Sequence, residues 1–137
     1  MTLYVHLQIV GILLMLLGVS HIFFNRLFGW EQELVTVSLL TRQVFFVHNF
    51  FIGLSVVLGG AASFFCANAL LRSGTLSRAV LAGMATFWLC RLLAQFVAYD
   101  SAIWQGDRFR TFMHVICSLL WCYVTATYGI AFLSVRN

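Results

Sequence analysis

Four long apolar runs separated by short polar breaks dominate this chain. They cover about 3–24, 44–71, 79–99 and 111–133. Each matches or exceeds the roughly 20 mostly apolar residues that a membrane-crossing helix needs. A helix satisfies its own backbone N–H and C=O groups, which lipid cannot do, so runs of this kind predict α-helices. The polar residues gather in the breaks: Asn25-Arg26 after the first run, Arg72 to Arg78 after the second, and Asp100 to Arg110 after the third. The stretch Glu31 to Leu40 (EQELVTVSLL) is too short to cross. It predicts an interfacial helix, with Trp30 at headgroup level. The expected architecture is all-α: an antiparallel four-helix transmembrane bundle, with the short interfacial helix between spans one and two, in a single domain over 1–137.

Composition agrees with this pattern. Hydrophobic residues make up 62% of the 137 positions and charged residues 9%, against about 25% charged in soluble domains. A water-soluble fold of this size has no interior large enough to hide so much apolar surface, so most of it must face lipid or other helices. The formal charge of +4 comes from eight arginines against four carboxylates. The arginines are dispersed and mostly terminate spans, which suits headgroup anchoring and excludes a nucleic-acid surface. Arg72, Arg78 and Arg136 fall on one predicted face; Arg26, Arg42, Arg108 and Arg110 fall on the other. That balance tips the face with the long loops toward the cytoplasm by one arginine only. The N-terminus has no basic n-region or cleavage signal, so the first run is expected to be retained as a span. The expected location is integral and multi-pass, in a bacterial inner membrane or an organelle membrane.

The candidate chemistry lies where the topology brings polar residues to one face. His21 lies near the end of span one, His48 near the start of span two, and His114 near the start of span four. Arg91, Gln95 and Tyr99 descend one face of span three toward Asp100. Helical phase groups each with an inward stripe. His21 is in phase with Gly18, Leu14 and Gly11. His48 is in phase with Ile52, Ser55, Gly59, Ala62 and Cys66, and that small-residue stripe is expected to be the packing face of span two. His114 is in phase with Cys117, Trp121, Thr125 and Tyr128.

An ionisable group inside a membrane is costly and marks a functional site by default. Imidazole binds transition metals and is an axial ligand of b-type haem, and four-helix bundles build such centres from facing helices. His21, His48 and His114 are therefore the candidate ligands of haem b or a transition metal ion. Arg91, Gln95, Asp100 and Arg110 are candidate cofactor-binding residues around it, with Arg42 a further propionate partner. A quinone or another lipophilic molecule would be the natural reaction partner. No catalytic residue is assigned, and whether the chain is an enzyme is left open. His6 lies at the opposite face without a second histidine, which argues against a second stacked haem. No HxxxH or HExxH spacing, phosphate-binding glycine loop or nucleophile elbow is present.

Two other functions fit the same sequence. One is a non-catalytic accessory subunit of a larger membrane complex. The other is a small transporter or lipid-binding protein, in which Arg91 and Gln95 line a cavity for an anionic or polar headgroup. The run Gly59-Gly60-Ala61-Ala62 predicts a close helix contact, within the chain or in a homo-oligomer. The cysteines, Cys66, Cys90, Cys117 and Cys122, fall within the spans without CxxC spacing and are expected to pack as small hydrophobes. The chain lacks the paired CxxC of quinone-linked thiol oxidoreductases and the charged helix motifs of glutathione-linked membrane enzymes.

Overall fold

The computed structural model describes residues 2–100, 103 and 106–135. The described residues are helical, without a strand. Trp104 and Arg136, which the sequence places at a loop centre and at a span end, lie outside them. Helices run over Leu3–Leu27 (α1), Trp30–Glu33 (α2), Leu39–Phe65 (α3), Ala67–Leu70 (α4), Thr75–Val97 (α5) and Arg108–Ser134 (α6). Of these, α1, α3, α5 and α6 are long and apolar enough to cross a membrane. Large apolar side chains such as Ile22, Phe65, Val97 and Leu133 are exposed.

The chain divides into two compact units, one from Leu7 to Ala67 and the other joining the chain up to His6 with the part from Asn68 onward. In the first unit, α1 ends where Gly29 takes a φ of 66°, a left-handed conformation that glycine adopts without a Cβ penalty. The expected interfacial helix is shorter than the 31–40 stretch. It forms α2 and a 3-10 turn over Leu34–Thr36. Trp30 stacks on Phe28 at 5.5 Å and meets Phe45 edge-on at 5.0 Å. The next helix starts at Leu39 rather than 44, because the Ser38 hydroxyl accepts the Thr41 amide at 3.2 Å and caps it. It ends at Phe65 rather than 71, with Cys66 breaking the run before α4.

Glycine determines how α1 meets α3. A Cβ at Gly11 would lie 2.7 Å from the Gly60 carbonyl oxygen, and one at Gly18 would lie 2.6 Å from that of Gly53. The two backbones touch at both levels, and only residues without a side chain permit that. The buried face of α3 is Gly53, Val56, Gly60 and Ser63. This differs from the expected stripe through His48: Ile52, Ser55, Ala62 and Cys66 are exposed. Gly60 packs inside the chain against Gly11, so at this position the close contact is intramolecular.

The second unit is built on large side chains. Trp88 of α5 and Trp121 of α6 stack at 5.1 Å, and Leu81, Val124, Tyr128 and Ala131 are also buried. Arg78 reaches the Val135 carbonyl at 3.3 Å and lies over the Phe132 ring. Helix α6 starts at Arg108, ahead of the expected 111, because the Asp107 carboxylate accepts the Arg110 amide at 3.0 Å.

Candidate binding site on α5 and α6

The sequence places Arg91 and Gln95 one turn apart on α5, and the structure joins them to α6. Gln95 is buried, 5% exposed. Its Oε1 accepts from Arg91 Nη1 at 3.0 Å and from Trp121 Nε1 at 3.3 Å. Both partners can only donate, so this amide atom must be the oxygen. The amide nitrogen then faces His114 Nδ1 at 2.8 Å and donates to it. In this network His114 Nδ1 is an acceptor, and the ring proton of the neutral imidazole sits on Nε2.

Arg91 is held almost entirely by neutral groups. Its guanidinium lies 4.8 Å from the Trp121 ring centroid and 5.9 Å from that of Tyr99. Such cation–π contacts are worth about 0.5–2 kcal/mol each. No carboxylate pairs with it among the described residues. Arg91 sits six residues before the end of α5, about 9 Å along the axis at about 1.5 Å per residue.

The other expected site residues are placed differently. Asp100 follows the end of α5, exposed, with its carbonyl accepting the Ile103 amide at 3.1 Å. Arg110 pairs with Asp107 at 3.3 Å at the α6 N-terminus, half exposed. His21 and His48 belong to the other unit. His21 Nδ1 bonds the Leu17 carbonyl and His48 Nδ1 bonds the Val44 carbonyl, each at 2.8 Å. A carbonyl only accepts, so both rings carry a proton on Nδ1, and in the neutral form the lone pair is at Nε2. His48 is exposed on α3. His6 Nδ1 lies 2.9 Å from the Tyr123 hydroxyl. Among the described residues, no three His, Cys, Asp or Glu side chains are grouped to hold a metal ion. The cysteines are free thiols, and Cys66, Cys90 and Cys122 are exposed rather than packed inside.

Sequence reasoning placed Asn25 in the polar break after span one and gave no role to Asn49. The Asn49 amide donates to the His21 carbonyl at 3.2 Å, and the Asn25 Oδ1 atom is buried without a partner among the described residues. For Asn49 the available signal was an asparagine within an apolar run, which lipid disfavours unless it faces a neighbour. Comparison with protein-family models, with curated proteins and with solved structures gives no match.

Proposed function

We propose that the chain is a multi-pass membrane protein, with its four long helices in an antiparallel bundle. In this reading the Arg91–Gln95–His114–Trp121 site binds the anionic head of an amphipathic or lipid molecule. One observation carries the proposal: a guanidinium inside an apolar span, fixed by an amide and two ring faces, with no carboxylate partner among the described residues. A buried or half-buried cation in low dielectric costs several kcal/mol unless an anion answers it. Gln95 and Trp121 hold the guanidinium in place while leaving most of its N–H groups for a phosphate or carboxylate.

The anion site is favoured over a three-histidine centre because of His114. Ligation through Nε2 needs the proton on Nδ1, and Gln95 would then have to turn its amide and set a donor against Arg91 and Trp121. The test uses delipidated protein titrated with short-chain phosphatidylglycerol and, for comparison, phosphatidylcholine. The expected result is at least about tenfold tighter binding of the anionic lipid, because a charge-assisted hydrogen bond is worth about 1.5–3 kcal/mol and tenfold is about 1.4 kcal/mol. Arg91→Gln should abolish that preference. Equal binding of the two lipids by the wild-type chain would overturn the proposal.

A second reading has its own observation. The Nδ1–H···O=C bonds of His21 and His48 leave Nε2 open, as a haem- or metal-bound imidazole requires. It predicts a Soret band or stoichiometric bound metal that His21→Ala and His48→Ala each remove.

A further inference from the structure

The hydrogen-bond network of Arg91, Gln95 and His114 has a direction that one proton reverses. Gln95 Oε1 accepts from Arg91 Nη1 and Trp121 Nε1, two groups that only donate. Gln95 Nε2 is therefore the atom 2.8 Å from His114 Nδ1, and their bond lasts only while Nδ1 carries a lone pair. An imidazolium has a proton on both nitrogens, which sets donor against donor at this contact. The contact recovers when the Gln95 amide turns over and Oε1 accepts from the ring. Nε2 then lies beside Arg91 and Trp121, and both lose their acceptor. A buried donor left unmatched costs about 1–3 kcal/mol.

An anion offsets this cost. It accepts from the Arg91 guanidinium and from the turned Gln95 amide together, and its charge counters the repulsion between imidazolium and guanidinium. His114 is the group here whose charge changes near neutral pH. On α5 it meets Gln95 and the edge of the Phe96 ring at 6.0 Å, with Arg91 four residues before Gln95 and Tyr99 four after it. On α6 its neighbours one turn away include Arg110 and Cys117, and Cys117 lies in the field of Arg91. Asp100 follows the end of α5. Arginine, tyrosine, thiol and aspartate side chains ordinarily keep their charge between about pH 5.5 and 7.5, and histidine does not. Among the described residues His114 belongs to no group that could hold a metal ion.

We infer that this site takes up its anion together with a proton from solvent on His114, so that an anionic phosphate head binds more tightly as the pH falls. The inference rests on the anion reading of the Arg91 site and adds its regulation. Proton and anion assist each other, and the assistance is reciprocal: anion binding draws a proton onto the ring by the same factor. His114 acts here as a positioning residue, through the amide it turns.

The test is calorimetric titration of the delipidated full chain with short-chain phosphatidylglycerol at about pH 7.5 and about pH 5.5, a range in which the phosphodiester stays singly charged. The expected result is binding at least about fivefold tighter at the lower pH, the small end of the 5–150-fold typical of coupled sites, with net proton uptake read from buffers of different ionisation heat. His114→Asn keeps an acceptor for Gln95 but takes up no proton, and should bind the lipid equally at both pH values. His6→Gln, which alters the histidine bonded to Tyr123, should keep the wild-type dependence. The indole nitrogen-15 resonance of Trp121 should move between the two pH values in the lipid-bound wild type, as its acceptor is withdrawn, and stay still in His114→Asn. Dimethyl phosphate separates the sources: coupled binding of it makes a free phosphodiester sufficient, whereas coupled binding of the lipid alone assigns the effect to the headgroup. If His114→Asn does not fold, proton uptake and the Trp121 resonance of the wild type decide. Phosphatidylglycerol preferred over phosphatidylcholine but bound equally at both pH values would overturn the coupling and spare the anion site. Equal binding of the two lipids would remove both, and a pH dependence that survives in His114→Asn would overturn the role of His114.

Discussion

The α1–α3 unit and the α5–α6 unit solve the same packing problem in opposite ways. In the first, the backbones touch: glycines spaced seven residues apart on each helix, Gly11 and Gly18 against Gly60 and Gly53, leave no room for a side chain. In the second, Trp88 and Trp121 stack between the helices, and a Cβ at Gly83 or Gly129 would meet nothing within 4 Å. The histidines differ in parallel. His21 and His48 donate a hydrogen bond from Nδ1 to the carbonyl one turn back, while His114 Nδ1 accepts a hydrogen bond from Gln95. In the first unit the imidazoles bond to their own helices, and Asn49 of α3 reaches across only to the backbone carbonyl of His21 on α1. Wider spacing in the second admits a network that crosses from helix to helix.

The largest expected effect breaks this comparison at its glycines. Leucine at Gly18 or Gly60 should cost about 3 kcal/mol, as overpacking against backbone that cannot move aside, and should lower the thermal midpoint in detergent. Alanine at Gly83 or Gly129 should instead be neutral or stabilising by up to about 1 kcal/mol, from helix propensity. If both sets respond alike, the contrast between the units fails.

A smaller effect is expected from the polar network. Gln95→Leu removes the shared acceptor of Arg91 and Trp121 and the donor to His114, and should cost about 2–3 kcal/mol. Trp121→Phe, which removes one bond and part of the stack, should cost less. A Gln95→Leu protein as stable as wild type would show that the network does not hold the second unit together.

Helix caps should matter less again. Ser38→Ala and Asp107→Ala should each cost about 1 kcal/mol, with hydrogen exchange rising only in the first turns of α3 and α6. The subtlest prediction concerns tautomers. Nitrogen-15 spectra of the neutral rings should show His114 protonated on Nε2 and His21 and His48 on Nδ1. Gln95→Leu should remove the preference of His114 alone. A shared tautomer in all three would erase the distinction that favours the anion site over a three-histidine centre.

Much of the site on α5 and α6 was legible before the structure. Arg91 and Gln95 stand one turn apart, and the stripe from His114 through Cys117, Trp121, Thr125 and Tyr128 does lie away from the exposed surface. On α3 the same reasoning chose the wrong face. Small residues occur both in phase with His48 and in phase with Gly53, and only the partner helix decides between them. The matched spacing of seven in Gly11–Gly18 and Gly53–Gly60 is a signal for the second stripe that sequence reasoning did not use. Sequence reasoning did not use Ser38 and Asp107 as caps, and they account for α3 and α6 starting earlier than the apolar runs do.

The sequence by itself determined the helical class and four helices long and apolar enough to cross a membrane. Those properties depend on length and hydrophobicity alone, and lipid leaves the backbone little other choice. Tertiary structure decided which face of each helix meets a neighbour and that His114 Nδ1 is an acceptor, because Gln95 of α5 donates to it. In a membrane the outward face is as apolar as the inward one, so periodicity carries little of that information. It emerges only when helices touch, through backbone contact at Gly18 and Gly53 and through the amide of Gln95.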